Sequence, residues 1–309
     1  MATTNVFLAL ALIAVVGSSL RFFLPDFDLD EARRICGRLV LVVFLPALNF
    51  EVVYRMPLDA TFWRAPLVMG AAAIACALIG AVVLGVIPLP SRIRGSLVLA
   101  SAFGNVTYLG MPVLQGLFPA QFIEVTRVAV LCEVTVTSLD LMVSSAIAPF
   151  YDGRKRAFSA TLGEIARLPL LWAIILGALC NGLRVALPEF VMSATHVMGQ
   201  TVSGLMLLVL GMALRPSAIL HALEHPIHLL VPGLIKLAVS PLLVLFLARA
   251  VVDSPLTHHA LVVEGAMPPQ LIVLLAADRS DLDVDYLAAV VLTLTMISFV
   301  TVPIANSLL

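Results

Sequence analysis

Apolar residues run in long blocks along almost the whole chain, and only short polar connectors separate them. A helix that crosses a bilayer needs about 20 consecutive, mostly apolar residues. By that measure the pattern predicts ten spans, at about 4–24, 39–54, 65–87, 95–117, 127–149, 168–186, 197–214, 228–250, 257–277 and 285–307. The longest polar connection covers about residues 150–167. Two of the ten spans are interrupted. The fourth contains Phe103-Gly104-Asn105-Val106-Thr107-Tyr108-Leu109-Gly110-Met111-Pro112, and the ninth contains Glu264-Gly265-Ala266-Met267-Pro268-Pro269-Gln270. A helix broken by Gly or Pro leaves backbone N–H and C=O groups unpaired. In hydrocarbon such breaks survive only where protein or a water-filled cavity covers them.

Composition agrees with the pattern. Of 309 residues, 61% are hydrophobic and 12% charged, against about 45–50% and about 25% in soluble domains. The chain therefore reads as a multi-pass membrane protein with the lipid bilayer as its solvent. The net charge is −1, which argues against a nucleic-acid partner, and no basic stripe appears. Cys36, Cys76, Cys132 and Cys180 stand singly, without metal or redox spacing. No basic n-region precedes the first apolar run, so a retained span is expected there rather than a signal peptide.

Lys and Arg in the connectors give an orientation, because cytoplasmic loops carry the excess. With the N-terminus outside, the inner set is Arg21, Arg33, Arg34, Arg38, Arg92, Arg94, Arg154, Lys155, Arg156, Arg167, Arg215 and Arg279. The outer set is only Arg55, Arg64, Arg127, Arg184 and Arg249. Both termini are expected on the outer side of the cell (inner or plasma) membrane, with the 150–167 loop in the cytoplasm. The two halves also echo each other. Leu20-Arg21-Phe22-Phe23-Leu24-Pro25-Asp26-Phe27 closes span one, and Leu183-Arg184-Val185-Ala186-Leu187-Pro188-Glu189-Phe190 closes span six. Five spans per half is an odd number, so two such copies must be inverted. The expected fold is an all-α polytopic membrane protein: ten transmembrane helices as two inverted five-helix repeats, 1–149 and 168–309, joined by the 150–167 loop, with broken helices four and nine crossed. A matched pair of broken helices is the best sequence pointer to the binding site of a secondary transporter.

The breaks offer specific chemistry. A half-helix N-terminus presents N–H groups and a positive dipole end, which suit a carboxylate. Half-helix C-termini and unwound carbonyls suit a cation. Gly104 and Gly110 permit close backbone approach. Pro112 and Pro268 remove donors and stop helix continuation, and Asn105 adds a side-chain amide.

The stretch from Asn105 to Pro112 resembles the N-x-x-[aromatic or aliphatic]-x-G-[apolar]-P signature of the auxin efflux carrier family. Ala266-Met267-Pro268-Pro269, followed by Asp278-Arg279-Ser280-Asp281-Leu282-Asp283, is similar to that family's ninth helix and its following loop. The resemblance implies a ten-helix fold divided into a scaffold and a crossover-containing transport domain. It implies carriage of auxin or of carboxylates such as malate and malonate, and the short central loop favours the bacterial type. The family places substrate at the fourth-helix Asn and both crossover prolines, here Asn105, Pro112 and Pro268. Gly104, Tyr108, Pro269 and Gln270 complete the candidate substrate site. A homodimer through the scaffold is a further expectation from the family's plant members.

Ionisable residues inside a span are functional candidates by default. Glu133 and Asp140 lie on span five and Glu264 on span nine. Glu133, Thr137 and Asp140 recur at i, i+4, i+7 and so share one helix face. Glu264 followed three residues later by Met267 is similar to the more distant bile acid:sodium symporters, where that Glu shares sodium with a fourth-helix Asn. The expectation is a Na⁺ site at Glu264, Glu133 and Asn105, with Met267, Thr137 and Asp140 nearby, since a hard cation takes oxygen ligands. The alternatives are a proton on a desolvated carboxyl, an uncoupled carboxylate efflux carrier, or acids that merely pair with neighbouring helices.

Other polar residues carry weaker claims. Lys236 in span eight reads as a snorkelling side chain before a substrate counter-ion. Asn49 and Glu51 read as interfacial, with an outer vestibule as the second reading. His221, His225 and His228 share a face of a solvated amphipathic stretch. Gly177, Gly199, Gly204 and Gly211 are expected to allow close helix packing. Rival classes lack their parts. No G-x-S-G serine or second intramembrane Asp supports an enzyme, and no room remains for a receptor's output domain. The expected function is secondary transport of a small organic anion by elevator-type alternating access, as Na⁺ symport.

Overall fold

The structure is a computed structural model that describes residues 2–23, 28–153, 157–213 and 226–307. The described residues are helical almost throughout and contain no strand longer than an isolated bridge. In chain order the helices are α1 (Ala2–Phe23), α2 (Leu29–Leu39), α3 (Leu45–Arg55), α4 (Thr61–Gly85), α5 (Ser91–Ala102), α6 (Met111–Leu117), α7 (Phe122–Ile147) and α8 (Phe158–Ala166). There follow α9 (Pro169–Gly182), α10 (Glu189–Ala213), α11 (Pro226–Leu234), α12 (Ser240–Val251), α13 (Pro255–Gly265), α14 (Val273–Arg279) and α15 (Val284–Ser307). Seven described helices are long and apolar enough to cross a membrane, or up to eight if Ser159–Ala166 and Pro169–Gly182 form one span. Leu12, Leu78, Val82, Phe246 and Val300 are exposed along them. Large contiguous apolar surface of this kind is a liability in water and suits contact with lipid.

Element limits depart from the sequence reading where charge masked a helix. The second span begins at Leu29 rather than near residue 39, because α2 is amphipathic and its Arg33, Arg34 and Arg38 broke the apolar run without breaking the helix. Helix α10 likewise starts at Glu189, before the expected 197. The 150–167 connector contains α8, anchored by Thr161 Oγ1 donating to Ser145 Oγ at 3.0 Å and by the Arg279–Glu164 ion pair. Arg154, Lys155, Arg156 and Arg215 of the orientation tally, Leu24–Phe27 of the repeat, and His221 and His225 lie outside the described residues. His228 is described and bonds Tyr286 Oη rather than facing solvent alone.

Three π-helical turns, Val40–Phe44, Val106–Gly110 and Ile235–Val239, each end two residues before a proline: Pro46, Pro112 and Pro241. Proline lacks an N–H, and its ring crowds the carbonyl four residues back. That carbonyl belongs to the middle residue of each turn (Val42, Tyr108 and Leu237), so the wider turn makes room where the conflict falls. Pro303 sits inside α15 without such a turn.

The chain forms two compact units that do not follow the sequence halves. One comprises Met1–Phe62, Thr107–Val130 and Ala166–Leu214, and the other Trp63–Val106, Leu131–Ile165 and Arg215–Leu309. In the first, α1 packs on α10, and α3 on α9 and α10. Glycines set the α1–α10 approach: a Cβ on Gly211 would lie 2.1 Å from the Ala14 carbonyl oxygen, and one on Gly17 2.4 Å from that of Leu208. Gly177 and Gly199 are also tight against α3, whereas a Cβ on Gly204 would meet nothing within 4 Å among the described residues. Asn181 closes the end of α3 by donating to the carbonyls of Val53 and Met56. In the second unit, α5 packs against α11, α14 and α15, and α12 packs against α13.

Candidate functional site

The second unit holds both segments that flank the expected crossing. Helix α5 stops at Ala102, and Phe103 is extended. Helix α13 stops at Gly265, where Pro268 and Pro269 offer no N–H to the preceding turn. The freed backbone groups find each other. Asn105 N–H donates to the Pro268 carbonyl at 2.7 Å, and Gln270 N–H donates to the Phe103 carbonyl at 2.9 Å. Gly104 and Pro269 thus face each other as an antiparallel bridge. Proline at 269 is tolerated because its missing N–H is not asked for in that pairing. The bridge also consumes the amides of Asn105 and Gln270, which cannot then serve as anion donors. The side chain of Asn105 is buried beside it, 1% exposed.

One buried acid is joined to the bridge, and two more lie buried in the same unit. Gln270 Nε2 donates to Asp140 Oδ2 at 2.9 Å, tying the second break to α7. Glu133, Thr137 and Asp140 lie buried on α7, as their spacing requires, and Glu264 lies at the end of α13. Glu264 and Glu133 are within electrostatic reach of each other. Both Glu264 carboxylate oxygens are buried and have no hydrogen-bond donor among the described residues. Met267 is fully buried, and its N–H donates to the Glu264 carbonyl at 3.2 Å. Among the described residues no group of three or more His, Cys, Asp or Glu side chains is placed to hold a metal. A monovalent cation here would draw its ligands from the two carboxylates, the Asn105 amide and backbone carbonyls.

The structure thus brings together Gly104, Asn105, Pro268, Pro269 and Gln270, with Asp140 joined through Gln270. Tyr108 and Pro112 fall in the first unit, both buried. Tyr108 lies on the π-turn and Pro112 in the first turn of α6. The loop from Asp278 to Asp283 is held by local contacts. Asp281 takes a left-handed backbone (φ 57°) and pairs with Arg92, while Asp283 Oδ1 accepts the Tyr286 N–H at the start of α15.

Lys236 is the residue that the sequence reading placed wrongly. It does not snorkel: it is 1% exposed, and its ammonium donates to Ser240 Oγ at 2.8 Å and to the Gly265 carbonyl at 3.0 Å. The usable signal lay in two places. Ser240 follows Lys236 by one helical turn, and Pro269 deprives the Gly265 carbonyl of its ordinary i+4 donor. Asn49 and Glu51 are both buried in the first unit, where Glu51 meets His196 and Arg55 beside a 220 Å³ cavity also lined by Phe122 and Gln200.

Comparison with known proteins agrees with a transporter. The sequence pattern of a family described as membrane transport protein matches residues 9–149 and 155–305. An uncharacterized transporter of Methanothermobacter thermautotrophicus is 26% identical over 285 residues, covering 89% of this chain and 88% of that one. An uncharacterized transporter of Methanocaldococcus jannaschii is 22% identical over 284 residues, covering 88% of each.

Proposed function

The chain belongs to the membrane transport protein family, the auxin efflux carrier family, and from that premise we propose that it carries a small organic anion across the cell membrane by alternating access. Members of this family are transporters, not enzymes. The proposed substrate is a mono- or dicarboxylate of the auxin, malate or malonate kind. The proposed architecture is two inverted five-helix repeats, 1–149 and 168–309, with both termini outside and the connecting segment cytoplasmic.

The observation that carries the reading is the backbone bridge between two matched breaks, Gly104 to Pro269, deep among buried polar side chains. Irregular backbone at membrane depth is tolerated where it is covered or lines a site, and transporters place substrate at such discontinuous helices. The Asn105 side chain, with Gly104 and Gln270 beside it, is the proposed hold on the carboxylate. Pro268 and Pro269 shape the backbone beside it.

For coupling we propose Na⁺ at Glu264 and Glu133 with Asn105, supported by two buried carboxylates in mutual electrostatic reach. A proton on Glu264 is the second reading, favoured by the absence of any hydrogen-bond donor to its carboxylate among the described residues. The test is a thermal-shift screen of carboxylates in Na⁺ or in K⁺ at fixed pH and ionic strength. The wild type is expected to be stabilised by a carboxylate and more so in Na⁺, with Asn105→Ala losing the response. A shift retained by Asn105→Ala moves the site elsewhere, and equal shifts in Na⁺ and K⁺ eliminate sodium.

A further inference from the structure

We infer that Lys236 is a resident counter-cation of the coupling site, shared between the two helix breaks, so that one monovalent cation rather than two completes the charge of Glu264 and Glu133. This rests on the proposal that those two acids hold the coupling ion. It begins from a buried ammonium whose hydrogen-bond partners are neutral. Ser240 Oγ and the Gly265 carbonyl take two of its three N–H groups. No carboxylate lies within ion-pair distance of Lys236 among the described residues. Hydrogen bonds satisfy the donors but leave the charge uncompensated, and a buried charge is costly unless another charge answers it.

The answering charge is Glu264. It immediately precedes Gly265, whose carbonyl Lys236 grips, and it is fully buried, with no hydrogen-bond donor to its carboxylate among the described residues. The two groups are within electrostatic reach, and Glu133 joins them. Among the described residues, the thiols of Cys76 on α4 and Cys132 on α7 also lie within electrostatic reach, of Lys236 and Glu264 respectively. Asp140, farther along α7, is engaged by Gln270.

A purely structural role for Lys236 would need no charge. The Gly265 carbonyl, orphaned by Pro269, already receives the Ser240 hydroxyl at 2.8 Å. The ammonium is in excess of that need. It also touches the other break: a Cβ built on Gly104 would lie 2.9 Å from Lys236 Cε and 3.0 Å from Nζ. One cation therefore sits against Gly104 of the first break and Gly265 of the second. With both glutamates ionised, its single charge leaves one negative charge for the mobile ion. Without it, two remain.

The experiment is a Na⁺ titration of the purified full chain at constant ionic strength, read by thermal stability, for wild type, Lys236→Gln, Lys236→Arg, Ser240→Ala and Gly104→Ala. A unit charge several ångströms away in a protein interior is worth tenfold or more in ion affinity. Lys236→Gln should therefore lower the half-saturating Na⁺ about tenfold or more and steepen the titration as a second cation enters. Lys236→Arg and Ser240→Ala should titrate like wild type, the latter because only the neutral cap is lost. Gly104→Ala, which displaces the ammonium by steric contact, should lower the half-saturating Na⁺ as Lys236→Gln does, and it carries the test if Lys236→Gln does not fold. A wild type that responds to Na⁺ while both Lys236→Gln and Gly104→Ala titrate identically to it overturns the inference and leaves the coupling site standing. A wild type blind to Na⁺ overturns the coupling site itself, and the inference with it.

Discussion

Single residues at the crossing do separate jobs, and their contacts say which substitutions will tell. Asp140 and Gln270 form a buried side-chain bond between α7 and the second break. Asp140→Ala strands the Gln270 amide, a loss of about 1–3 kcal/mol for an unsatisfied buried group. Asp140→Asn can present its own carbonyl oxygen to the same amide. Thermal unfolding should therefore show Asp140→Ala clearly destabilised and Asp140→Asn near wild type; equal melting temperatures for all three proteins would mean that the bond contributes nothing. Gly104 behaves differently. A methyl group there meets only the far end of the flexible Lys236 side chain at close range. Gly104→Ala should therefore still fold, with a lower melting temperature from the displaced ammonium, and lose the carboxylate-dependent shift. Lys236 itself was the residue least legible from sequence. A lone lysine in an apolar run has a generic explanation in snorkelling, and what it reaches shows only through Ser240 one turn on and the Gly265 carbonyl that Pro269 leaves without a donor.

At the scale of elements, the breaks were legible because Gly and Pro stop helices by local chemistry, wherever the rest of the chain lies. Their pairing through the Gly104–Pro269 bridge is a tertiary fact, yet each freed backbone group demanded a partner and the other break was a fitting one. The first turns of the second span and of α10 were not legible, since charged and polar positions ended the apolar run while the amphipathic helix continued. The π-turns before Pro46, Pro112 and Pro241 were likewise hidden, because a proline in a membrane helix signals a disturbance without saying how the helix absorbs it. Small residues divide by environment. Gly211 faces the Ala14 backbone, which cannot yield, so Gly211→Ala should destabilise the α1–α10 packing by about 1–3 kcal/mol through overpacking. Gly204 faces open space, so Gly204→Ala should be neutral or stabilising by about 0.5–1 kcal/mol, the helix-interior advantage of alanine. Melting temperatures of the two variants in one detergent check both; the reverse order would contradict the packing described here.

At the scale of the whole molecule, the sequence halves and the compact units cut the chain differently. Each unit takes segments from both halves, and the bridge with its buried acids belongs to one unit alone. That arrangement supports the proposed alternating access, in which a crossing-bearing unit carries substrate and ion together. It also fixes what Na⁺ replacement should do. If Glu264 and Glu133 hold the coupling ion, exchanging bath Na⁺ for K⁺ at fixed pH should abolish accumulation of a carboxylate in proteoliposomes, and Glu264→Gln should be indifferent to the exchange. Unchanged uptake by the wild type in K⁺ would remove sodium and leave the proton.

The central claim, that the crossing at Asn105 moves a small organic anion, is tested most directly by counterflow. Proteoliposomes loaded with unlabelled malate or malonate are diluted into trace labelled substrate, and internal label is followed for wild type and Asn105→Ala. The account predicts a transient overshoot of label in the wild type, absent in a correctly folded Asn105→Ala protein. An overshoot of equal size in both would contradict it.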